Sequence, residues 1–166
     1  MVQEQVGDGD QFDCKCSTCE GRGYAVSSLS ETVFQKFQEI IKERPPPNED
    51  YDQTAMSDAD SVIRVGFFHE FGDLLNKELL MIGDFDCLSI AAALTGLPKR
   101  IVVFEIDTRL IAFINKVAKE HNLPLEAHTW DVRQPLPEQF RGQFDLFSCD
   151  PVETIEGIKL YMSRGT

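Results

Sequence analysis

Acidic side chains follow each of four apolar runs that the sequence predicts as β-strands. They are Asp84 and Asp86 after the first run, Glu105 and Asp107 after the second, Asp131 after the third and Asp150 after the fourth. Because ligands of open parallel sheets bind outside the carboxyl ends of the strands, we expect these carboxylates to form one rim. A single surface acid is more commonly a helix cap or a solvated side chain. Acids at four successive strand ends indicate a site for a cationic ligand.

The turn after the first run has an unusual composition. Nucleotide-binding turns of this kind normally carry several glycines, which let backbone N–H groups approach a phosphate. Here Gly83 is followed by two carboxylates, in the sequence Asp84-Phe85-Asp86. Glu105 lies roughly 20 residues beyond Gly83, the offset at which an acid binds a ribose hydroxyl in Rossmann-type folds. The pattern predicts a pocket for a nucleoside without phosphates beside a positive charge, such as S-adenosylmethionine or its decarboxylated derivative.

Strands and helices alternate from Lys77 onward. The predicted strands cover residues 79–82, 100–104, 125–130 and 144–149, and the predicted helices cover 87–95, 108–121 and 154–162. Strands separated by helical segments are typical of a parallel sheet in an α/β fold. We therefore predict a Rossmann-like domain of the class I methyltransferase or spermidine synthase type over residues 48–166, which positions the acids at one edge.

The first 47 residues have a different composition and are predicted as a separate N-terminal module. Ser28 and Glu31 form a capping box that opens an amphipathic helix with Val33, Phe34, Phe37, Ile40 and Ile41 on one face. Three prolines at 45–47 end this helix, and we place the boundary there. Ser57 is predicted to cap a second helix that runs towards Gly72.

Three cysteines lie close together in this module, at Cys14, Cys16 and Cys19. Their spacing suits a zinc knuckle, although a closed zinc site needs four ligands and the sequence offers no clear fourth. The chain has five cysteines in total and its start has neither the basic nor the apolar region of a signal peptide. An odd number of cysteines without a signal indicates thiols in the reducing cytoplasm.

The charge of the chain restricts its partners. Twenty-eight acids against sixteen bases give a net charge of −12, which disfavours a nucleic-acid surface and favours a cationic substrate. No apolar run reaches the ~18 residues of a membrane span. We expect a cytoplasmic protein that binds a small cation, with no membrane or nucleic-acid partner.

Several longer stretches are similar to one enzyme family. The stretches are YDQ at 51–53, LLMIGDFDCLSIA, GLPKRIVVFEIDTRL, WDVRQPLP and DPVETIEGIKLYMSRG. Together they resemble the branched-chain polyamine synthases, the N4-bis(aminopropyl)spermidine synthases, over roughly residues 14–166. The VVFEID stretch also resembles spermidine synthases, whose glutamate binds the ribose. The resemblance implies transfer of aminopropyl groups from decarboxylated S-adenosylmethionine to the secondary amine of spermidine, with release of methylthioadenosine and no further cofactor.

The resemblance and the chemistry together give each acid an expected role. Asp84, Asp86 and Asp150 are assigned to the reaction, with Asp86 favoured as the proton acceptor. The nucleoside side is assigned to Gly83, Glu105 on the ribose, Asp107, and Asp131 on the adenine amino group. The polyamine side is assigned to Tyr51, Asp52 and Glu153.

Two positions differ from the family pattern. Phe85 replaces the middle acid of a Gly-Asp-Asp-Asp motif, and Val152 replaces a proline in the motif after the fourth strand. An apolar ring between two aspartates should desolvate them and raise their pKa values, whereas the loss of a neighbouring charge should lower them, so the direction of the net shift stays open. Because an acid in place of Phe85 would restore a negative charge that holds the polyamine, it is expected to raise kcat/KM for spermidine, unless the ring packs beneath the turn.

The resemblance also implies further strands beyond the segment 163–166, so the sheet is expected to be incomplete at its C-terminal side. An unpaired strand edge favours association, for instance as a homodimer. Two other functions remain open at this point. One is a non-catalytic derivative that binds polyamine or a partner chain, and the other is an S-adenosylmethionine-dependent methyltransferase. Val152-Glu153-Thr154 lacks the aromatic residue that amino-group DNA methylases carry after Asp-Pro.

Overall fold

A computed structural model describes residues 28–165 of the chain, with side chains from Thr32 onward. The capping-box side chains Ser28 and Glu31 lie outside the described side chains, as do all of Cys14, Cys16 and Cys19. The helices are α1 (Ser28–Ile41), α2 (Asp58–Glu70), α3 (Leu88–Leu94), α4 (Thr108–Glu120) and α5 (Ile155–Gly165). The strands are β1 (Glu78–Ile82), β2 (Arg100–Glu105), β3 (Leu125–Thr129) and β4 (Leu146–Cys149), and short 3-10 turns cover Glu49–Tyr51 and Glu138–Phe140.

The four strands of the described residues form one parallel sheet in the order β3-β2-β1-β4. The chain moves outward from β1 through β2 to β3 and then returns to the other side of β1 for β4. The order therefore reverses between β1 and β4, where the crossovers leave a crevice at the carboxyl ends of the strands. The predicted α/β fold is confirmed, and the strand and helix ends predicted from residue 77 onward agree with the observed ones to within two residues, except that α5 continues three residues beyond its predicted end at 162.

The two faces of the sheet are covered differently. Alternate strand residues such as Leu79, Met81 and Val103 point to one face, where they form a large core with the helices α1 to α4. Leu80, Ile82 and Phe104 point to the opposite face and pack in a smaller, aromatic cluster with Trp130 and Phe140. Helix α5 contacts β4 and has no buried residues. Side-chain alternation with a period of two explains why one strand supplies both clusters.

Helix α1 belongs to the larger core. Its residues Val33, Phe37 and Ile41 are at most 8% exposed and lie in the same cluster as the residues of β1 and β2. The predicted amphipathic face is thus the buried one. In the described residues the two sides of the proposed boundary after Pro47 share this core, and the separate N-terminal module stays a prediction.

Helix α2 begins as predicted. Ser57 is its N-cap and its hydroxyl accepts a hydrogen bond from the Asp60 N–H. No helix in the range 28–165 combines the length and hydrophobicity that crossing a bilayer would require.

Candidate functional site

Two clefts open at the carboxyl ends of the strands. The first, of about 580 Å³, is lined by eight of the predicted site residues: Tyr51, Asp52, Gly83, Asp84, Asp86, Glu105, Asp150 and Glu153. The second, of about 440 Å³, contains Trp130, Asp131 and Arg133. Gly83, Glu105 and Tyr161 line both clefts, so the two spaces meet along these residues. The fold brings five of the six predicted strand-end acids to these adjoining clefts, namely Asp84, Asp86, Glu105, Asp131 and Asp150.

Gly83 forms the tight turn that lets the two clefts meet. Its φ of 72° lies in the left-handed region, which glycine adopts without steric cost. Its N–H donates to the carbonyl of Phe104 at 2.9 Å. A Cβ at this position would lie 3.6 Å from the Asp150 carbonyl oxygen. That distance is an ordinary van der Waals contact, so the positive φ, and not a lack of space for a side chain, is what favours glycine at this turn.

Asp84 is buried, at 4% exposure, and is bonded to the start of α3. Its carboxyl accepts hydrogen bonds from the Ser89 hydroxyl at 2.5 Å and from the Ser89 N–H at 3.2 Å. Burial raises the pKa of Asp84 to about 8, and the nearby charges of Glu105 and Asp86 add to this increase. At neutral pH the carboxyl therefore holds a proton. The geometry suits an anchor of the turn better than a base.

Asp86 faces the first cleft and has a different set of partners. Its carboxylate accepts a hydrogen bond from the Met56 N–H at 2.8 Å, and the Arg64 guanidinium lies 3.8 Å away. Burial raises its pKa, as does the charge of Asp150, while the bond from Met56 and the charge of Arg64 oppose the increase. A carboxylate with a raised pKa in a cleft is suited to accept a proton near neutral pH. The sequence left the direction of the pKa shift of these two aspartates open, and in both environments burial is the largest cause and raises the pKa.

Phe85 packs beneath the turn. Its side chain is 5% exposed and belongs to the larger core cluster. The Arg44 guanidinium lies 4.7 Å from the centre of its ring and donates to the Phe85 carbonyl oxygen at 3.1 Å. The structure therefore supports the packing explanation of this position. An acid here would replace a core side chain, so the increase in kcat/KM expected from such an acid is not supported by the geometry.

Glu105 is held in place by the backbone. One carboxylate oxygen accepts from the Asp84 N–H at 3.0 Å, and the other accepts from the N–H groups of Ile106 and Asp107 at 2.7 and 3.0 Å. The side chain is 6% exposed and lies where the two clefts meet. Three backbone donors fix its orientation before any ligand arrives, which is the preorganisation that a ribose-binding acid requires.

Asp131 lies in the second cleft and is paired with a cation. The Arg133 side chain donates to both of its carboxylate oxygens, and the Arg133 N–H donates to one of them at 2.9 Å. These hydrogen bonds lower the pKa of Asp131 to about 2. The carboxylate is therefore ionised throughout the physiological range. Trp130 and Phe104, whose ring centres are 5.3 Å apart, pack beside it.

Asp107 lies outside both clefts. It is the N-cap of α4, accepting from the Arg109 N–H at 2.9 Å, and its carboxylate also binds the Arg109 side chain and the Gln53 amide. The hydrogen bond from Arg109 lowers its pKa. Asp107 thus anchors α4 and the segment at 48–56, a positioning task that differs from the nucleoside contact predicted from the sequence.

The remaining predicted residues line the first cleft from its two exposed walls. Tyr51, which is 41% exposed, and Asp52, whose φ is 54°, come from the short 3-10 turn before α2. Asp150 and Glu153 are exposed residues of the segment after β4. The structure brings all four to the cleft that holds Asp86.

Sequence reasoning missed several residues of the site. Met56 and Arg64 contact Asp86, and Tyr161 lines both clefts. None of the three carries a motif of its own. The signal that could have drawn attention to Tyr161 is its place in the family-like stretch DPVETIEGIKLYMSRG after the fourth strand.

Metal ligands are absent from the part of the chain that the structure covers, since no group of three or more His, Cys, Asp or Glu side chains in it could hold a metal ion. The zinc ligands predicted from the sequence, Cys14, Cys16 and Cys19, lie outside the described residues. The zinc site thus stays a prediction.

The chain is similar to one family of proteins in its sequence and in its structure. The family described as the branched-chain polyamine synthase A C-terminal domain matches residues 32–166. The N(4)-bis(aminopropyl)spermidine synthase of Thermococcus kodakarensis is 42% identical over 163 residues, which are 98% of this chain and 46% of that protein. The synthase of Thermus thermophilus is 42% identical over 153 residues, 92% of this chain and 45% of that protein. The chain thus spans about half the length of the curated relatives that it matches.

Solved structures agree with the sequence comparison. The branched-chain polyamine synthase from Thermus thermophilus, in complex with N4-aminopropylspermidine and 5′-methylthioadenosine, superposes with a TM-score of 0.85 at 42% identity and covers 91% of this chain and 44% of that one. A putative RNA methyltransferase from Pyrococcus horikoshii superposes with a TM-score of 0.66 at 14% identity, covering 84% of this chain and 68% of that one, which shows a shared fold alone. With a family match over residues 32–166 and 42% identity over nearly its whole length, the chain belongs to the branched-chain polyamine synthase family.

Proposed function

We propose that the protein transfers an aminopropyl group from decarboxylated S-adenosylmethionine to the secondary amine of spermidine, releasing methylthioadenosine. The observation that carries this proposal is the Asp86 carboxylate, which lies in an acidic cleft that adjoins a second cleft with the features of a nucleoside site. The complex of the Thermus thermophilus relative with N4-aminopropylspermidine and 5′-methylthioadenosine supports the same pair of ligands.

The donor nucleoside is assigned to the second cleft. Glu105, fixed by three backbone N–H groups, binds the ribose hydroxyls. Asp131, kept ionised by Arg133, accepts a hydrogen bond from the adenine amino group beside the Trp130 ring. We assign the 5′-carbon of the ribose, and the sulfur attached to it, to the junction of the two clefts at Gly83.

The polyamine is assigned to the first cleft. Spermidine carries ammonium groups at its ends, and the carboxylates of Asp52, Asp150 and Glu153 on the walls of this cleft are suited to bind them. Binding at both ends places the central secondary amine near Asp86. The net charge of −12 adds a long-range attraction for the same cation.

The reaction is a single displacement. The lone pair of the secondary amine attacks the carbon of the aminopropyl chain that is bound to the sulfonium sulfur. The new C–N bond forms as the C–S bond breaks, and the electron pair of the C–S bond stays on sulfur in neutral methylthioadenosine. The amine proton passes to the Asp86 carboxylate, whose raised pKa suits it as an acceptor. Holding the two reactants in line in adjoining clefts contributes through proximity.

The proposal requires no cofactor for catalysis, because the sulfonium of the donor is itself the leaving group. A structural zinc bound by Cys14, Cys16 and Cys19 is retained as part of the proposal, on the basis of their spacing alone. We place the reaction in the cytoplasm, because the five cysteines suit a reducing compartment. Within residues 28–165 β4 is an edge strand, and a homodimer through this edge is likewise proposed.

The test is the turnover of an Asp86→Asn variant of the complete gene product, incubated with decarboxylated S-adenosylmethionine and spermidine. The wild type is expected to give N4-aminopropylated products by mass spectrometry. Asn accepts the Met56 hydrogen bond but cannot take a proton, so kcat/KM is expected to fall by about 10²–10⁴-fold while methylthioadenosine affinity is unchanged. Glu120→Gln, the same chemical change on the exposed end of α4, is the matched control and should leave turnover unaltered.

Full activity in Asp86→Asn would remove Asp86 from the reaction. Consumption of S-adenosylmethionine by the wild type, with a methylated product instead of a branched amine, would replace the proposal with a methyltransferase.

A further inference from the structure

Tyr161, on α5, has a position that the proposed reaction does not yet use. It lines the acidic cleft together with Asp86 and the second cleft together with Asp131. Its Cε1 atom lies 3.8 Å from the point that a Cβ on Gly83 would occupy, so the ring reaches the turn at which the clefts meet. The ring thus borders the junction of the two clefts, where a group that joins a nucleoside in one cleft to an amine in the other would lie.

The Tyr161 ring is held in place by packing on the side that faces the sheet. Tyr161 is half-buried and packs against the aromatic cluster on the second face of the sheet, whose buried members include Ile82, Phe104 and Trp130. Side chains that are held by packing present the same surface to every ligand. The exposed part of the ring therefore belongs to the cleft rather than to a mobile surface side chain.

The phenol lies among acids from three strand ends. Burial raises the pKa of Tyr161, and the negative charges of Glu105, Asp150 and Asp131 add to this increase. The hydroxyl therefore keeps its proton across the physiological range. The ring is neutral and lies in a negative potential, which favours a positive charge next to it.

The sulfonium of the donor is the chemical group that fits this position. Its sulfur joins the ribose, assigned to Glu105, to the aminopropyl chain that reacts near Asp86. A sulfonium has no hydrogen to donate, so it cannot hydrogen-bond to a carboxylate. A carboxylate in contact with it would also be a competing nucleophile for the reacting carbon. The face of an aromatic ring attracts such a cation without either problem.

We propose that Tyr161 is a specificity-determining residue, whose ring face contacts the positively charged sulfur and favours the sulfonium donor over the neutral thioether product. The proposal rests on the aminopropyl transfer proposed above. When the C–S bond breaks, the sulfur loses its charge, and the attraction to the ring is lost with it. The same contact therefore favours donor binding and product release.

The test compares two ligands that differ at sulfur alone. One is methylthioadenosine, and the other is its S-methylated sulfonium, which adds one methyl group and one positive charge but no ammonium. The dissociation constants of both are measured by calorimetry for the wild type and for Tyr161→Phe, Tyr161→Leu and Tyr161→Met. Phe keeps the aromatic face, whereas Leu and Met keep apolar volume without it. Two non-aromatic variants are used so that a folding defect in one leaves the other to decide.

The wild type and Tyr161→Phe are expected to prefer the sulfonium to the same extent. In Tyr161→Leu and Tyr161→Met that preference should fall about fivefold to tenfold, the size expected of a cation–π contact in a partly desolvated site. Phe140→Leu removes a ring of the same aromatic cluster that lines neither cleft, and its preference should match the wild type.

Equal weakening of both ligands in the Leu and Met variants would overturn the proposal and leave Tyr161 as a packing residue only. The same measurements distinguish a failure of the proposed role of Tyr161 from a failure of the proposed function. Wild-type protein that binds neither ligand would contradict the nucleoside site itself, and both proposals would fall together. Wild-type binding with an unchanged preference in all variants would contradict Tyr161 alone.

Discussion

Two acids of the same rim, Asp84 after β1 and Asp131 after β3, differ in every physical respect except their residue type. Asp84 is buried without a cation and is bonded to the Ser89 hydroxyl and N–H, and burial raises its pKa to about 8. Asp131 is bound by the fork of Arg133, and those hydrogen bonds lower its pKa to about 2. One is a neutral anchor at pH 7 and the other is a permanent anion.

The difference teaches that position on the rim does not decide the role of a carboxyl group. Its neighbours do. Phe85 and the core exclude water from the turn at Asp84, whereas Arg133 supplies a partner two residues after Asp131. Asp86 has neighbours of both kinds, since burial raises its pKa whereas the Met56 N–H and the Arg64 guanidinium, 3.8 Å away, lower it. That intermediate environment is what a proton acceptor at neutral pH requires.

The largest effect is expected from Phe85→Asp, which would break the dry environment of the β1 turn. The change removes a core ring and adds a third carboxyl beside Asp84 and Asp86. We expect the free energy of unfolding to fall by about 3–5 kcal/mol, the range found for removal of a buried aromatic side chain. Chemical denaturation measures this loss. Phe85→Leu, which keeps an apolar side chain, should lose markedly less.

An unchanged denaturation midpoint in Phe85→Asp would contradict the packing role. If kcat/KM for spermidine also rose tenfold, the position would be shown to require an acid.

The second largest effect is a pH dependence of the stability, which follows from the raised pKa of Asp84. Its pKa is 3.8 in the unfolded reference and about 8 in the folded protein, so between these values the folded state holds a proton that the unfolded state lacks. The contribution of Asp84 to stability is therefore complete below about pH 4 and is lost as the pH rises towards 8. The slope is at most about 1.4 kcal/mol per pH unit.

Asp84→Asn keeps an acceptor for Ser89 but cannot titrate. The free energy of unfolding of this variant, measured from pH 5 to pH 8, should decline less steeply than that of the wild type. Parallel curves for the two proteins would show that Asp84 is already ionised at neutral pH.

The smallest effect on stability is expected from breaking the ion pair between Asp131 and Arg133. Arg133 is mostly exposed, and exposed ion pairs contribute little to stability. Arg133→Ala should leave the melting temperature unchanged but raise the pKa of Asp131 from about 2 towards its ordinary value, as followed by carboxyl NMR titration. Arg141→Ala, which removes the cation paired with Glu138, is the control. An unaltered Asp131 titration in Arg133→Ala would mean that another group sets its pKa.

The fold was predictable because its signals are local and periodic. The alternation of apolar strands with amphipathic helices such as α4 placed the elements to within three residues, and the parallel direction of β1, β2 and β3 brings their carboxyl ends to one edge. The acids at those ends could therefore be grouped before any coordinates. The position of Asp107 could not be predicted in this way, because an aspartate at a strand end can either cap the next helix or face the cleft. The hydrogen bonds from Gln53 and Arg109 show that Asp107 caps α4.

The sequence by itself determined the family, the α/β architecture and the presence of a carboxylate rim, since these depend on residue order and on the two periods of regular structure. Only the tertiary structure decided which carboxyl is dry, which is paired and which faces a ligand. Met56 and Arg64 beside Asp86, Arg44 on Phe85 and Tyr161 at the junction of the clefts are contacts between segments far apart in the chain. Protonation and binding depend on the distance to such neighbours and on the exclusion of water, and neither quantity is encoded in any one stretch of residues.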